Sequence, residues 1–217
     1  MAKRKPKTKV NKFTGIEEIL PHLGGSENIT NTDPGVLEYL INTFDVNSMV
    51  DIGCGPGGQI AIGKELGLRV LGVDGDYLVK KEPSVENNIV IHDFTKGELF
   101  LQEVFDLGYT VEFVEHVEEI YIKNWMRPLM ACKHVLITHA YPNQEGWHHV
   151  SLHLPEYWID VFTAFGFVVD VDGTNEARNA STMQLNFMRQ QGLLFHNINN
   201  PESYTLDSYR TALNNLK

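Results

Sequence analysis

The sequence predicts an α/β protein with a doubly wound, mostly parallel seven-stranded sheet carrying helices on both faces. Three observations predict it. Short apolar runs alternate with amphipathic segments over residues 34–190, the pattern of strands joined by crossover helices. A glycine-rich turn, VDIGCGPGG at 50–58, closes the first such run. At 217 residues with 42% hydrophobic side chains, the chain builds one sizeable core and leaves little room for a second.

The opening segment MAKRKPKTKVNK holds six of the 18 Lys and Arg residues and no acid, so residues 1–13 read as a disordered basic tail. It has no apolar signal-peptide core. From residue 13 onward 12 basic residues face 28 acidic ones, a net charge of −16. Such a body repels phosphate backbones, so nucleic acid is not an expected partner. No run is apolar enough to cross a bilayer, and Cys54 and Cys132 build no disulfide framework. A cytoplasmic protein without a membrane partner is expected; the oligomeric state is open.

Asp33 suits a helix N-cap and Pro34 its first turn, with Val36, Leu37, Leu40, Ile41 and Phe44 at helical spacing. Strands are expected at 48–52, 69–73, 88–92, 105–109, 134–139, 167–171 and 183–188, with helices at 59–66 and 155–165. The second of these helices buries Tyr157, Trp158, Val161, Phe162 and Phe165 and stops at Gly166. A further helix over 118–131 should be kinked or split by Pro128. The domain is expected to span 14–191, and 192–217 to dock on it as an extension through Leu206, Tyr209, Leu213 and Leu216.

After Asp51, residues Gly53, Gly55, Gly57 and Gly58 clear side chains from a turn, so that backbone amides and a helix N-terminus can approach a ligand. Gly53, Gly55 and Gly58 also satisfy G-x-G-x-x-G, so the turn by itself fits a nicotinamide dinucleotide as well as S-adenosylmethionine. Asp74, followed by Gly75 and Asp76, puts a carboxylate where ribose hydroxyls bind in both cases. His92, Asp93 and Phe94 set an acid and an aromatic where an adenine could be bonded at its amino group and covered on its face.

With these motifs the sequence resembles the class I (Rossmann-like) S-adenosylmethionine-dependent methyltransferases, through VDIGCGPGG at 50–58, VLGVDGD at 70–76, IHDF at 91–94 and FDLGYTVEFVEHV at 105–117. More narrowly it is similar to small stand-alone methyltransferase-domain proteins of the kind also carried by phages. The resemblance implies S-adenosylmethionine as methyl donor and S-adenosylhomocysteine as product. It implies that Asp51 and the turn of Gly53, Cys54, Gly55 and Gly57 flank the methionine part, that Asp74 with Gly75 meets ribose, and that His92, Asp93 and Phe94 frame adenine. Tyr109 to Glu112 would then line the methyl side.

Six of the nine histidines fall between 116 and 153, in loops that an open α/β sheet turns toward its ligands. His148 or His149, with Glu112 nearby, suits the role of proton acceptor from a hydroxyl, the alternative being that they and Trp147 only shape a loop. Glu112, Glu115 and His116 would share one face if their segment begins a helix, and with His149 they would offer metal ligands. That arrangement is similar to the E-x-x-E-H plus distant histidine of metal-dependent 2'-O-methyltransferases of small RNA. The same pattern occurs in metal-free methyltransferases, and an acidic body attracts RNA poorly. The expectation is therefore methyl transfer, without a metal, to an oxygen or nitrogen of a small molecule or sugar. An NAD-dependent oxidoreductase and a non-catalytic cofactor-binding module are the competing classes, with a metal-dependent RNA 2'-O-methyltransferase behind them.

Overall fold

A computed structural model describes residues 8–10, 17–18, 22–23, 25 and 28–215, so the expected basic tail lies outside the described residues except at 8–10. Strands β1 (Thr8–Val10) and β2 (Glu17–Glu18) form a short antiparallel ribbon. Helix α1 (Pro34–Phe44) starts where its cap predicts: the Asp33 carboxylate accepts from Val36 N at 3.2 Å, and Pro34 opens the first turn. The same buried carboxylate accepts from Thr182 N at 2.8 Å and from Ser181 Oγ, while the Gln59 side chain pairs with both Asp33 main-chain groups. One side chain thus caps a helix and ties α1 to a loop some 150 positions away in sequence.

The main sheet comprises β3 (Ser48–Ile52), β4 (Arg69–Asp74), β5 (Ile89–Ile91), β6 (Phe105–Thr110), β7 (Cys132–Ile137), β8 (Phe167–Val169) and β9 (Leu193–Asn197). Their order is β5-β4-β3-β6-β7-β9-β8, with β5 to β7 parallel and β9 antiparallel to both its neighbours. All five residues of β3 are buried, and its side chains alternate between two cores: Val50 and Ile52 join one, Met49 the other. Helices α3 (Ile122–Leu129) and α4 (Pro155–Ala164) cover the first face with Trp125, Met126, Leu129, Trp158 and Phe162. Helices α1, α2 (Gly58–Glu65), α5 (Val171–Ala180) and α6 (Phe187–Gln191) cover the second through Val36, Leu40, Ile60, Ala177 and Met188. Trp125 and Trp158 are wholly buried side by side, and truncating either costs about 3–5 kcal/mol. Helix α7 (Leu206–Asn215) ends the described chain, and no helix among the described residues is long and apolar enough to cross a membrane.

Three expectations need correction. The strand expected over 183–188 is absent; that segment runs into α6, and the seventh strand is Leu193–Asn197, inside the stretch assigned to the C-terminal extension. Flanked on both sides, β9 buries Leu193, Leu194 and Phe195 in succession, and a continuous apolar run, not alternation, marks a strand covered on both faces. Helix α5 was not foreseen, although Asp170 caps it by accepting from Gly173 N at 2.8 Å. Residues 112–116 do not begin a helix: Glu112 takes φ 56°, and only a single 3-10 turn, Val114–His116, follows. Likewise the helix expected from residue 118 is a 3-10 turn, Glu119–Tyr121, and then α3 with Pro128 in its last turn.

Candidate functional site

The glycine turn is pinned to β4, with Gly53 N and Cys54 N both donating to Val73 O at 2.8 and 3.2 Å. Gly53 sits at φ 80°, and a Cβ there would lie 2.5 Å from the Phe113 ring. Only glycine brings the turn that close to the segment after β6. Asp74 closes the cradle: its two oxygens accept from Gly55 N and Asp76 N, each at 2.7 Å. Burial raises its carboxyl despite those bonds. A carboxylate with one bond at each oxygen keeps further lone pairs open to hydroxyl donors.

Asp51, at 3% exposure, accepts no hydrogen bond among the described residues, and burial, followed by the nearby Asp74 charge, pushes its carboxyl well up. Tyr109 stands opposite Asp51 in the β3–β6 register, its buried hydroxyl also without a partner among the described residues. Burial, then Asp51 and Asp33, pushes that phenol up as well. An unpartnered carboxylate beside an unpartnered hydroxyl leaves one acceptor and one donor open to a polar ligand.

The residues expected to frame adenine each carry a local duty. Asp93 Oδ1 accepts from Thr95 N and Thr95 Oγ1 at 2.9 and 2.7 Å, capping the Phe94–Lys96 turn, and the His22 ring bonds the same carboxylate at 3.2 Å. Burial alone would raise Asp93, but the Thr95 and His22 bonds outweigh it and hold it below the usual range. Phe94 is 5% exposed and edge-on to His92 and Phe113, so its ring belongs to the core. The His92 ring bonds Gly97 O at 3.0 Å. Cys54 turns its sulfur into the core, where a Cβ at Gly72 would lie 2.7 Å from it, leaving only its main chain to the turn. Gly75 is covered by Leu23, 2.8 Å from where its Cβ would be.

Beyond Phe113 lies the second half of the site. Glu112 adopts its left-handed conformation with its N–H bonded to Thr138 Oγ1 at 2.9 Å, a strained position of the kind that clusters at functional sites. Its carboxyl meets that of Glu115, whose two oxygens are buried with no donor among the described residues. Burial lifts Glu112 to about 7 and Glu115 well above its ordinary value, with the Glu112 charge adding to the latter. Two buried carboxyls in contact share either a proton or a cation.

Glu115, His116 and His149 bring ligand atoms within 4.8 Å of one another, the two imidazoles meeting edge to face at 5.0 Å. The chain folds this way because Val150 N and Ser151 N both donate to Glu115 O, strapping the 140–153 loop onto the 3-10 turn. His116 Nδ1 donates to Trp147 O at 2.6 Å and His149 Nδ1 to Gln144 O at 2.8 Å. Each bond fixes the tautomer with its lone pair on Nε2. Burial, then His149, pushes His116 down to about 4, so it is neutral at physiological pH. His148 stands apart: it lies 3.7 Å from Glu118 and faces His22. Sequence reasoning missed Thr138 and Gln144, and took His139 only as one of the six histidines of 116–153. His139 is fully buried at the end of β7, both ring nitrogens lacking partners among the described residues, and is held near 4 by burial. Its position just past a strand's carboxyl end was the available signal.

No protein-family model matches the chain, and no curated protein matches it. Solved structures do. It is similar to a TehB-like S-adenosylmethionine-dependent methyltransferase from Corynebacterium glutamicum, at 15% identity over 76% of this chain and 87% of that one, TM-score 0.55. It is similar also to the magnesium protoporphyrin IX methyltransferase of Synechocystis with bound S-adenosylmethionine, at 14% identity over 75% and 76%, TM-score 0.53. A third is the methyltransferase domain of bacterial CtHen1-C, at 14% identity over 76% and 96%, TM-score 0.50. The chain therefore has the class I S-adenosylmethionine-dependent methyltransferase fold.

Proposed function

We propose that the protein transfers a methyl group from S-adenosylmethionine to a hydroxyl oxygen of a small-molecule or sugar acceptor. The observation that carries this reading is the direct contact between two sites: Gly53 of the glycine turn packs on Phe113, which is flanked by Glu112 and by the Glu115–His116–His149 cluster. S-adenosylmethionine supplies a sulfonium methyl open to in-line attack. Asp74 and the turn orient its ribose, and Asp51 with Tyr109 its amino-acid end; such positioning accounts for most of what a methyltransferase must do. A hydroxyl acceptor needs a base, and Glu112, lifted to about 7, is matched to neutral pH. His149, with its lone pair on Nε2, is the other group able to take that proton.

A second reading is favoured by the same cluster. The orphaned Glu115 oxygens and the ring nitrogens of His116 and His149 form an oxygen and nitrogen donor set that fits a divalent ion such as Mn²⁺, with Glu112 in contact with Glu115 but outside that group. Acidification of a coordinated acceptor hydroxyl is the chemistry such an ion would add. Against the oxidoreductase, β9 runs antiparallel between β7 and β8, unlike the open parallel order of dinucleotide-binding sheets. Against a non-catalytic module, the buried Glu115 carboxyl costs stability, and both its oxygens lack a donor among the described residues.

The test is incubation of the purified chain with methyl-labelled S-adenosylmethionine and separate pools of sugars, phenolic metabolites, protein and small RNA, with Mn²⁺ or with chelator. Labelled small molecule is the expected product. Label confined to RNA or protein contradicts the acceptor class, and no label in any pool contradicts the enzyme.

A further inference from the structure

Besides its straps to Glu115 O and His116, the 140–153 loop is tied to α6 at the Tyr141–Gln144 turn. Gln144 N donates to Tyr141 O at 3.0 Å, and the Gln144 side-chain oxygen accepts from Tyr141 N at 3.1 Å. That same oxygen accepts from Gln191 Nε2, and Tyr141 Oη donates to Gln190 O at 3.3 Å. Gln191 is 3% exposed and ends α6, with only Gly192 between it and the buried start of β9. The carbonyl that receives His149 Nδ1 belongs to Gln144.

We propose that Gln191 is a positioning residue, which through Gln144 holds the His149 ring in the tautomer with its lone pair on Nε2. The core strand β9 gives the chain of bonds a rigid origin, and the loop transmits it: Gln191 fixes the Gln144 side chain, the side chain fixes the turn, and the turn aims the Gln144 carbonyl at Nδ1. An imidazole without such a partner takes either tautomer. Outer partners of this kind set ring orientation and basicity at metal and proton-transfer sites alike. The inference rests on the proposed function only for what His149 then does; the bonding itself is independent of it.

The experiment reads the ring directly. Nitrogen-15 NMR of the histidine side chains in the metal-free protein should show His149 in wild type as the Nδ1–H tautomer. Gln191→Leu, close in volume but without a donor, should shift it toward the Nε2–H form, with the His116 signals unchanged. Gln144→Ala keeps the main-chain carbonyl on a more exposed residue and should give the same shift, which keeps the test valid should Gln191→Leu fold poorly. Titration with Mn²⁺ alone should show about tenfold or more loss of affinity in both variants. His149 remaining Nδ1–H in the folded variants overturns the proposal whatever the metal result. Absence of Mn²⁺ binding in wild type overturns the divalent-ion reading and leaves the tautomer result to decide this one.

Discussion

His116 and His149 meet edge to face at 5.0 Å, each anchored at Nδ1 by a main-chain carbonyl of the same loop. Main-chain anchors do not titrate, so neither Nδ1 bond depends on the protonation of a partner side chain. That arrangement ties the acceptor side of the site to one short loop, and makes the loop's residues testable one by one.

His149→Ala removes one candidate proton acceptor while leaving the glycine turn untouched. Methyl transfer should fall by about 100-fold or more, and affinity for S-adenosylhomocysteine, measured by calorimetry, should stay within a few-fold. Unchanged turnover would remove His149 from the mechanism.

Gly146 gives the His149 ring its space: a Cβ there would lie 2.1 Å from His149 Nε2. Gly146→Ala must therefore displace the ring or the loop. A displacement near 1 Å costs about 100-fold in rate at a positioned group. Steady-state assays should show that loss with an unfolding temperature close to wild type, because residue 146 is exposed; equal activity would mean the ring position is irrelevant.

Glu112 is raised by burial from 4.5 to about 7. In the metal-free protein its bound proton favours the folded state; this contribution is complete below about pH 4.5 and is lost as pH rises through about 7. Glu112→Gln is neutral at every pH, so its advantage in unfolding temperature over wild type should grow from pH 4.5 to pH 8. A difference that does not vary with pH would show that Glu112 is ionised throughout.

The acid side runs the other way. Burial pushes His116, His134 and His139 each from 6.5 down to about 4. The unfolded chain takes up protons first, so stability is full above about 6.5 and falls toward pH 4. Replacing His139 by Phe should reduce the pH slope of unfolding free energy in that window by up to about one proton; an unaltered slope would mean that His139 is charged in the fold.

Asp33→Ala removes a helix cap and the acceptor for Ser181 and Thr182. Cap loss costs about 1 kcal/mol and the stranded hydroxyl of buried Ser181 about 1–3 kcal/mol, while Thr182 is exposed to water, so urea unfolding should report roughly 2–4 kcal/mol. A loss well below 1 kcal/mol would show that water replaces the carboxylate.

The parts of this molecule legible in its sequence are those governed by local chemistry. Asp33 and Pro34 announce α1 because a cap needs only its own turn, and the strand at 48–52 is readable because its Met49-Val50 and Ile52 run straight into the glycine turn. The glycine turn and Asp74 were readable as a unit because both sit at strand ends. The placement of β9 was not, since insertion between β7 and β8 is a tertiary choice, and a three-residue apolar run, Leu193 to Phe195, after α6 looks like a docking segment. Nor was the geometry of 112–116 readable: E-x-x-E-H suggests a helical face, whereas the left-handed Glu112 and its Thr138 bond replace the helix by a tight turn. Asp93 and Phe94 matched a pattern, yet hydrogen bonding and burial engage them locally.

The central claim is that the cradle of Asp51, Gly53, Gly55, Asp74 and Tyr109 takes S-adenosylmethionine. Titration calorimetry of the purified chain with S-adenosylhomocysteine and, in parallel, with NAD tests it most directly. Saturable binding of S-adenosylhomocysteine, weakened about tenfold by Asp74→Asn, with no heat from NAD, is the predicted result; binding of NAD with none of S-adenosylhomocysteine would contradict it.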